Sequence, residues 1–251
     1  MTLLRSIAIY FSTLLLTVVY WIVASPLFII CMCLPTEKRR HLLRTLLLGF
    51  GLATVRIAWR PFFGVRFRDF SGGYRMPGIV VVNHRAATDA FLVALPHLNA
   101  AQTVNGWPMR IPVLGWMAKL AGYLDITGWD HATLKKRVEE VIGLGDMIIS
   151  YPEGTRSGNK RMNPFHSGIF QVARELGLPV YMLCIAGNQE MPDRSFRFHE
   201  FRRVLVHFLA PVPADEVSRC ANAYVLKKRV FRRMECELAA MDGELEDEVA
   251  L

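Results

Sequence analysis

The chain has 251 residues, enough for one domain with its own core, and its 52% apolar content excludes general disorder. Charged residues make up 21%, lean for a wholly water-soluble protein, and the mean hydropathy is +0.25. The net charge of +8 conceals a polarity: the last ten residues hold five acids and no base, leaving residues 1–241 at +13, a charge that draws a protein to phosphates in nucleic acid or on a membrane.

From Ser6 to Leu34, 29 residues pass without an Asp, Glu, Lys or Arg. About 20 apolar residues suffice to cross a bilayer core as a helix, so the run predicts a retained membrane helix with a bend at Pro26. A cleaved signal peptide is the alternative, but its apolar stretch spans only roughly 7–15 residues, and this one continues past Val23–Ser25. Lys38, Arg39, Arg40 and Arg44 follow the run and only Arg5 precedes it, which places the bulk of the chain in the cytoplasm by the positive-inside rule. Residues 41–64 are apolar but broken by Arg44, Arg56 and Arg60. They predict a helix in the membrane interface, its arginine stems snorkelling towards headgroups. Nine bases and one acid, Asp69, lie between Lys38 and Arg75, each base near an anionic leaflet contributing about 1 kcal/mol. Cys31 and Cys33 sit in the apolar run as small hydrophobes. Five cysteines without a C-x-x-C pair argue against a disulfide or zinc framework and fit a reducing compartment.

Beyond residue 63 the pattern turns α/β. Gly64–Phe70 and Gly78–Val82 read as strands, Ala90–Leu95 as a short helix, Ile111–Ala121 as a helix and Gly122–Ile126 as a strand. His131–Leu144 has the 3.6-residue period of an amphipathic helix. Met147–Tyr151 is a strand, Phe165–Leu176 a helix closed by Gly177, Pro179–Ile185 and Val204–Leu209 strands, and Asp215–Ala240 a closing helix. Alternating strands and helices predict a mostly parallel sheet covered by helices. Residues 1–63 thus form an anchor and interfacial helix, 64–241 the α/β domain, and 242–251 an acidic, disordered tail.

Two loops follow buried strands, where such sheets carry their chemistry. In Val82-Asn83-His84-Arg85-Ala86-Ala87-Thr88-Asp89, a carboxylate stands five residues after a histidine. On a continuous helix those side chains would point about 140° apart, so they meet only if His84 lies in the loop and Asp89 in the first helical turn, with Thr88 as N-cap. Asp89 then orients one imidazole nitrogen and leaves the other as a base. The alternative is a loop histidine beside an aspartate that merely complements a helix dipole. In the second loop, Pro152-Glu153-Gly154-Thr155-Arg156-Ser157, a turn gathers backbone N–H groups, a hydroxyl and a guanidinium, the donors a phosphate monoester needs. P-loop, dinucleotide, serine-hydrolase and zincin motifs are missing from the sequence.

N-H-x4-D followed about 65 residues on by P-E-G-T-R-S resembles the lysophospholipid acyltransferase family, which includes the 1-acylglycerol-3-phosphate acyltransferases. Arg110–Trp116 and Leu178–Leu183 look like the family's second and fourth blocks, so the likeness runs from about Gly64 to Pro213. It implies a glycerolipid-acyltransferase α/β fold with a membrane-associated N-terminal helical motif. The implied reaction moves a fatty acyl group from a CoA or acyl-carrier-protein thioester to a lipid hydroxyl, 1-acylglycerol-3-phosphate first, giving phosphatidic acid. His84 and Asp89 would be catalytic, while Glu153, Gly154, Thr155 and Arg156 would bind phosphate. Asn83, Arg110 and His166 would make secondary acceptor contacts. No metal or resident cofactor is implied, and the partners are membrane lipids and the acyl donor, not nucleic acid.

The sequence departs from the family at three cationic positions, where Asn105-Gly106, Gly128 and His166 stand, and Met182 replaces a usual proline. A different lipid or specialised acceptor, or a lipid-binding module that lost turnover, are the alternative readings; an intact His84–Asp89 pair speaks against the latter. The aromatic-basic run Phe196–Arg203 reads as an exposed loop rather than a nucleic-acid platform. His97, His131, His199 and His207 have no carboxylate at useful spacing and read as structural, and Trp107, Trp116 and Trp129 as core or interface residues.

Overall fold

Short runs of β-branched and apolar residues, the central ones buried on both faces, alternate with helices that bury one side only. The computed structural model describes residues 2–106, 108–110, 114–193, 195–199 and 203–250. Its helices are α1 (Thr2–Met32), α2 (Thr36–Ala53, continued by a π-helical turn Thr54–Ala58), α3 (Asp89–Leu92), α4 (Leu114–Leu120), α5 (His131–Gly143), α6 (Gly168–Glu175), α7 (Ala214–Arg219) and α8 (Ala223–Ala250). The strands are β1 (Val65–Asp69), β2 (Ile79–Val82), β3 (Ala100–Val104), β4 (Leu124–Asp125), β5 (Met147–Ser150), β6 (Val180–Ala186) and β7 (Val204–Val212). They form one sheet in the order β1-β7-β6-β2-β5-β3-β4. Every neighbouring pair is parallel except β6 with β7, which are antiparallel.

The period of two divides the core. Ile79, Val81, Val180, Met182 and Cys184 face one way with α5, α6 and α8 residues such as Val138, Phe170 and Leu226. Val80, Val82, Tyr181, Leu183 and Ile185 face the other way, towards Trp59, Phe63 and Leu92. Because β2, β3, β5 and β6 are mutually parallel, their carboxyl ends deliver four loops to one edge of the sheet. At the start of α5, Asp130 accepts Thr133 N–H at 2.8 Å, the geometry of an N-cap aspartate.

The sequence reading missed β3, because Ala100-Ala101-Gln102-Thr103-Val104 has little intrinsic strand preference. Pairing with β5 on one side and β4 on the other supplies what propensity lacks. The expected closing helix is two helices, since Asn222 Oδ1 accepts Val225 N–H and starts α8 anew. The start of the predicted 111–121 helix, Trp107 and parts of the 196–203 run lie outside the described residues.

The acidic tail is not disordered. Residues 242–250 are the last turns of α8, and their acids meet bases of the domain body. Glu244 takes Arg66 and Arg68, Asp242 takes Arg85, Glu246 takes Lys160, and Glu248 takes Arg66 and Arg203. Charge that an isolated tail would expose to water is thereby neutralised in place.

Two helices, Thr2–Met32 and Thr36–Ala58, are long and apolar enough to cross a membrane. The α1 helix runs through Pro26 and covers about 46 Å at 1.5 Å per residue. It is held against α2, its π-helical extension and the α/β domain at points along its length. Ser6 Oγ accepts Phe198 N–H, Trp59 Nε1 donates to Thr13 Oγ1, Tyr20 donates to Leu46 C=O, and Phe28 meets Trp116 near the far end. The opposite side of α1 exposes Leu4, Ile7, Phe11, Leu15, Val18 and Ile22, an apolar stripe at helical spacing. Trp116 is likewise exposed, and Trp129 packs partly buried against the core.

Arg44 corrects the expectation of a headgroup-directed arginine. Only 2% exposed, it pairs with the fully buried Asp146 at 2.6 Å and donates to the Ala121 carbonyl at 2.9 Å. Asp146 also accepts Asn99 Nδ2 at 2.9 Å and lies 2.7 Å from His41. The ion pair thus pins α2 to the ends of α4 and α5. Arg66, Arg68 and Arg75 are tied to Glu244 and Asp69, so with Arg44 four of the nine bases in the stretch 38–75 are paired within the fold. Removing one partner of a buried pair strands the other and costs about 3–5 kcal/mol. Arg44→Ala is expected near the low end, because Asn99 and His41 remain on Asp146; thermal and denaturant unfolding of the two forms in the same detergent checks it.

Candidate active site

Three parallel strands end side by side, and each contributes one piece of a site. After β2, Asn83 turns inward and pins its strand to β6, donating to Ile185 C=O at 2.9 Å and accepting Ile185 N–H at 2.8 Å. Asn83 is fully buried in this double bond. It braces the strand ends and does not face a ligand, contrary to the expected acceptor contact.

His84 follows at the loop. Its Nδ1 lies 2.8 Å from Asp89 Oδ2, and Asp89 has no solvent exposure. The pair forms as the spacing required, with His84 in the loop and Asp89 at the first residue of α3. The expected N-cap does not form: Thr88 is already helical in its backbone and makes no cap hydrogen bond. Asp89 Oδ2 instead accepts Ala86 N–H at 3.0 Å, while Oδ1 accepts Asn188 Nδ2, which also donates to Thr88 Oγ1 at 3.1 Å. With Nδ1 donating its hydrogen to Asp89, the neutral imidazole has Nε2 as its acceptor nitrogen, the arrangement a base requires. The Tyr151 ring packs 4.6 Å from the imidazole, centroid to centroid. Burial, with the Asp89 charge nearby, holds the Tyr151 phenol well above its usual range, so it is a neutral wall.

After β5, Glu153 turns inward too. One oxygen accepts His84 N–H at 2.7 Å and the other accepts Asn163 N–H at 2.7 Å. Burial raises its carboxyl above the ordinary value, and the two N–H groups oppose that. Glu153 is therefore a buried tie between loops, not a phosphate contact. Ser157 N–H donates to His84 C=O at 2.8 Å, a second tie between the same loops. Gly154 takes φ +73°, and a Cβ there would stand 3.2 Å from His166 Nε2, so the turn needs glycine. Thr155 and Arg156 remain exposed at the rim, and no carboxylate partner reaches Arg156 among the described residues.

A cavity of about 1030 Å³ opens beside this constellation. His84, Asn105, Thr155 and Arg156 line its polar end, and Leu47, Leu48 and Phe50 of α2, Phe91 of α3 and Ala94 just beyond it line an apolar end. Such a cavity holds a molecule with a long apolar part and a polar reacting end. Arg110 and His166, the other expected acceptor contacts, are exposed and outside its lining. Asn105 donates to the Gly154 carbonyl at 3.1 Å, bracing the turn. Gly128 sits at φ +71°, a conformation that would strain an arginine. Among the described residues no three His, Cys, Asp or Glu side chains gather as metal ligands.

Sequence reasoning missed Asn188, which stands two residues after β6 and secures Asp89 from a third strand. The signal was a polar residue directly after the buried run Val180–Ala186 and Gly187. Three of the four histidines read as lacking a carboxylate have one in space: His131 meets Glu175 at 3.0 Å, His199 meets Asp193 at 2.6 Å and His207 meets Glu237 at 2.6 Å, while His97 meets Arg56 at 2.9 Å.

Residues 67–186 match the family described as Acyltransferase. A chloroplastic 1-acyl-sn-glycerol-3-phosphate acyltransferase of Brassica napus is 30% identical over 138 residues, 52% of this chain and 40% of its own length. The lyso-ornithine lipid O-acyltransferase of Pseudomonas aeruginosa is 30% identical over 171 residues, 59% of this chain and 64% of its own. The chain thus spans less than two thirds of either relative. The crystal structure of the 1-acyl-sn-glycerophosphate acyltransferase PlsC from Thermotoga maritima shares the fold with a TM-score of 0.73 at 19% identity, over 96% of both chains.

Asn188→Ala removes a donor from fully buried Asp89. An unsatisfied buried acceptor costs about 1–3 kcal/mol, and that loss of unfolding free energy is expected by thermal denaturation.

Proposed function

Residues 67–186 are an acyltransferase domain of the lysophospholipid acyltransferase family, and on that premise we propose that the protein transfers a fatty acyl group from a thioester to the hydroxyl of a lysolipid. The observation that carries the reading is the His84–Asp89 pair at 2.8 Å, at the polar end of a cavity whose other end is apolar. His84 Nε2 takes the proton of the acceptor hydroxyl as that oxygen attacks the thioester carbonyl. Asp89 stabilises the imidazolium. The C–S bond then breaks, and the proton passes from Nε2 to the departing sulfur, giving an ester and a free thiol. The donor is CoA or acyl carrier protein, and no resident cofactor takes part. Leu47, Phe50 and Phe91 suit the acyl chain. Arg156 suits the acceptor's anionic headgroup.

The first acceptor is 1-acylglycerol-3-phosphate, which would give phosphatidic acid. A second reading, a lysolipid of lower or different charge, is favoured by Asn105, Gly128 and His166 at the family's cationic positions and by the relative named for lyso-ornithine lipid. The exposed stripe of α1 suits a helix lying in one leaflet with the site open to lipid from that side, and the basic residues after α1 favour the cytoplasmic face.

Thiol release in the presence of defined lysolipids tests the reaction. His84→Ala is expected to lose about 10²–10⁴-fold in turnover while folding normally; near-normal release would exclude His84 as the base. With a phosphorylated acceptor, Arg156→Ala should raise the acceptor KM roughly tenfold or more, since a hydrogen bond to a charged group contributes about 1.5–3 kcal/mol. The thioester KM should hardly move. If wild type prefers an acceptor without phosphate and Arg156→Ala leaves that preference intact, the second reading replaces the first.

A further inference from the structure

The residue after the base is an arginine with nowhere to meet solvent. Arg85 is 2% exposed, the largest of the fully buried side chains. Its guanidinium faces the last turns of α8, where it donates from two nitrogens to the two oxygens of Asp242, at 2.8 and 2.7 Å. The second nitrogen also donates to the Lys160 carbonyl at 2.7 Å. Lys160 belongs to the loop that carries Arg156, and Arg85 is one peptide from His84. A single buried guanidinium therefore fixes both loops of the site against one carboxylate, 157 residues away in sequence.

We propose that Asp242 is a positioning residue for the reaction: through Arg85 it sets the place of His84, and through Lys160 the loop that bears Arg156. This rests on the reading of His84 as the base. The fork is suited to the task because bidentate pairing restricts direction as well as distance. The pair is also held from outside. Glu244 and Glu248, on the same turns of α8, grip Arg66, Arg68 and Arg203, so the helix end cannot move without breaking several ion pairs. A loop released from such a brace leaves the imidazole misplaced, and small misplacements of a reacting group cost up to about a hundredfold in rate.

The experiment is a double-mutant cycle on full-length protein, measuring kcat, the acceptor KM and the unfolding midpoint. Asp242→Asn is expected to lower kcat roughly tenfold to a hundredfold and to raise the acceptor KM. In a His84→Ala background, the same change should lower the residual rate by no more than about twofold, because there is no base left to misplace. A merely structural role would reduce the rate by the same factor in both backgrounds, and that result overturns the proposal. So does wild-type kcat in Asp242→Asn when His84→Ala is inactive. If His84→Ala keeps full turnover, the base reading itself falls and takes this one with it. Should Asp242→Asn fail to fold, the pair Arg85→Met with Asp242→Leu substitutes apolar neighbours for a buried ion pair, which commonly preserves stability. That variant should fold and still lose roughly tenfold or more in kcat; full activity in it overturns the proposal.

Discussion

The buried carboxylate of Glu153 holds two loops together, and the site exists only while they are held. Its oxygens accept the N–H groups of His84 and Asn163, and the Ser157–His84 bond closes the same seam. An ionised carboxylate in this position is costly to bury, and hydrogen bonds to a charged acceptor, about 1.5–3 kcal/mol each, offset that cost. The seam is short because β2 and β5 are parallel neighbours, with Val81 opposite Ser150. Their loops leave the sheet at the same edge a few ångströms apart. The glutamate and arginine of one short turn thus have opposite duties: the first faces inward and builds, and the second faces outward towards the cavity.

Part of the charge in this protein is used internally. A body at +13 looks like a polycation in search of phosphate, yet Arg44, Arg66, Arg68, Arg75, Arg85 and Arg203 are each committed to a carboxylate. The acidic end of α8 takes much of that charge. The exposed stripe of α1 is apolar, and burial of such a surface is less sensitive to salt than a field of surface charges. Arg156 stands out against this background because it lines the cavity with no acid assigned to it among the described residues. An anionic group arriving there would meet a cation whose charge is not already spent.

The same geometry explains how the lost cationic positions are filled. Asn105 braces the Gly154 carbonyl, and His166 packs behind the glycine turn. Both have become parts of the scaffold around Arg156. Gly128 makes a left-handed turn, so its backbone is adapted to having no side chain. The three positions depart together, and Arg156 is the cavity-lining arginine to which no carboxylate is paired among the described residues.

Much of this was legible in the sequence, and for local reasons. Strand runs buried on both faces, the amphipathic period of α5 and the long uncharged run of α1 are all written within a window of a few turns. The His84–Asp89 pair was legible because five residues separate its members, and the geometry of one loop and one helical turn limits how they can meet. What the tertiary structure decided involves partners that the chain does not bring near each other locally. Whether Arg44 lies in a headgroup layer or on Asp146, whether the final acids are a solvated tail or a clamp on Arg66, Arg68 and Arg85, and whether Asn188 touches Asp89 all depend on pairings about a hundred residues or more apart. Hydrophobic periodicity reports which face of an element is buried and carries no information about which polar group waits on the other side. A polar residue's role follows from that partner, and only the folded chain supplies it.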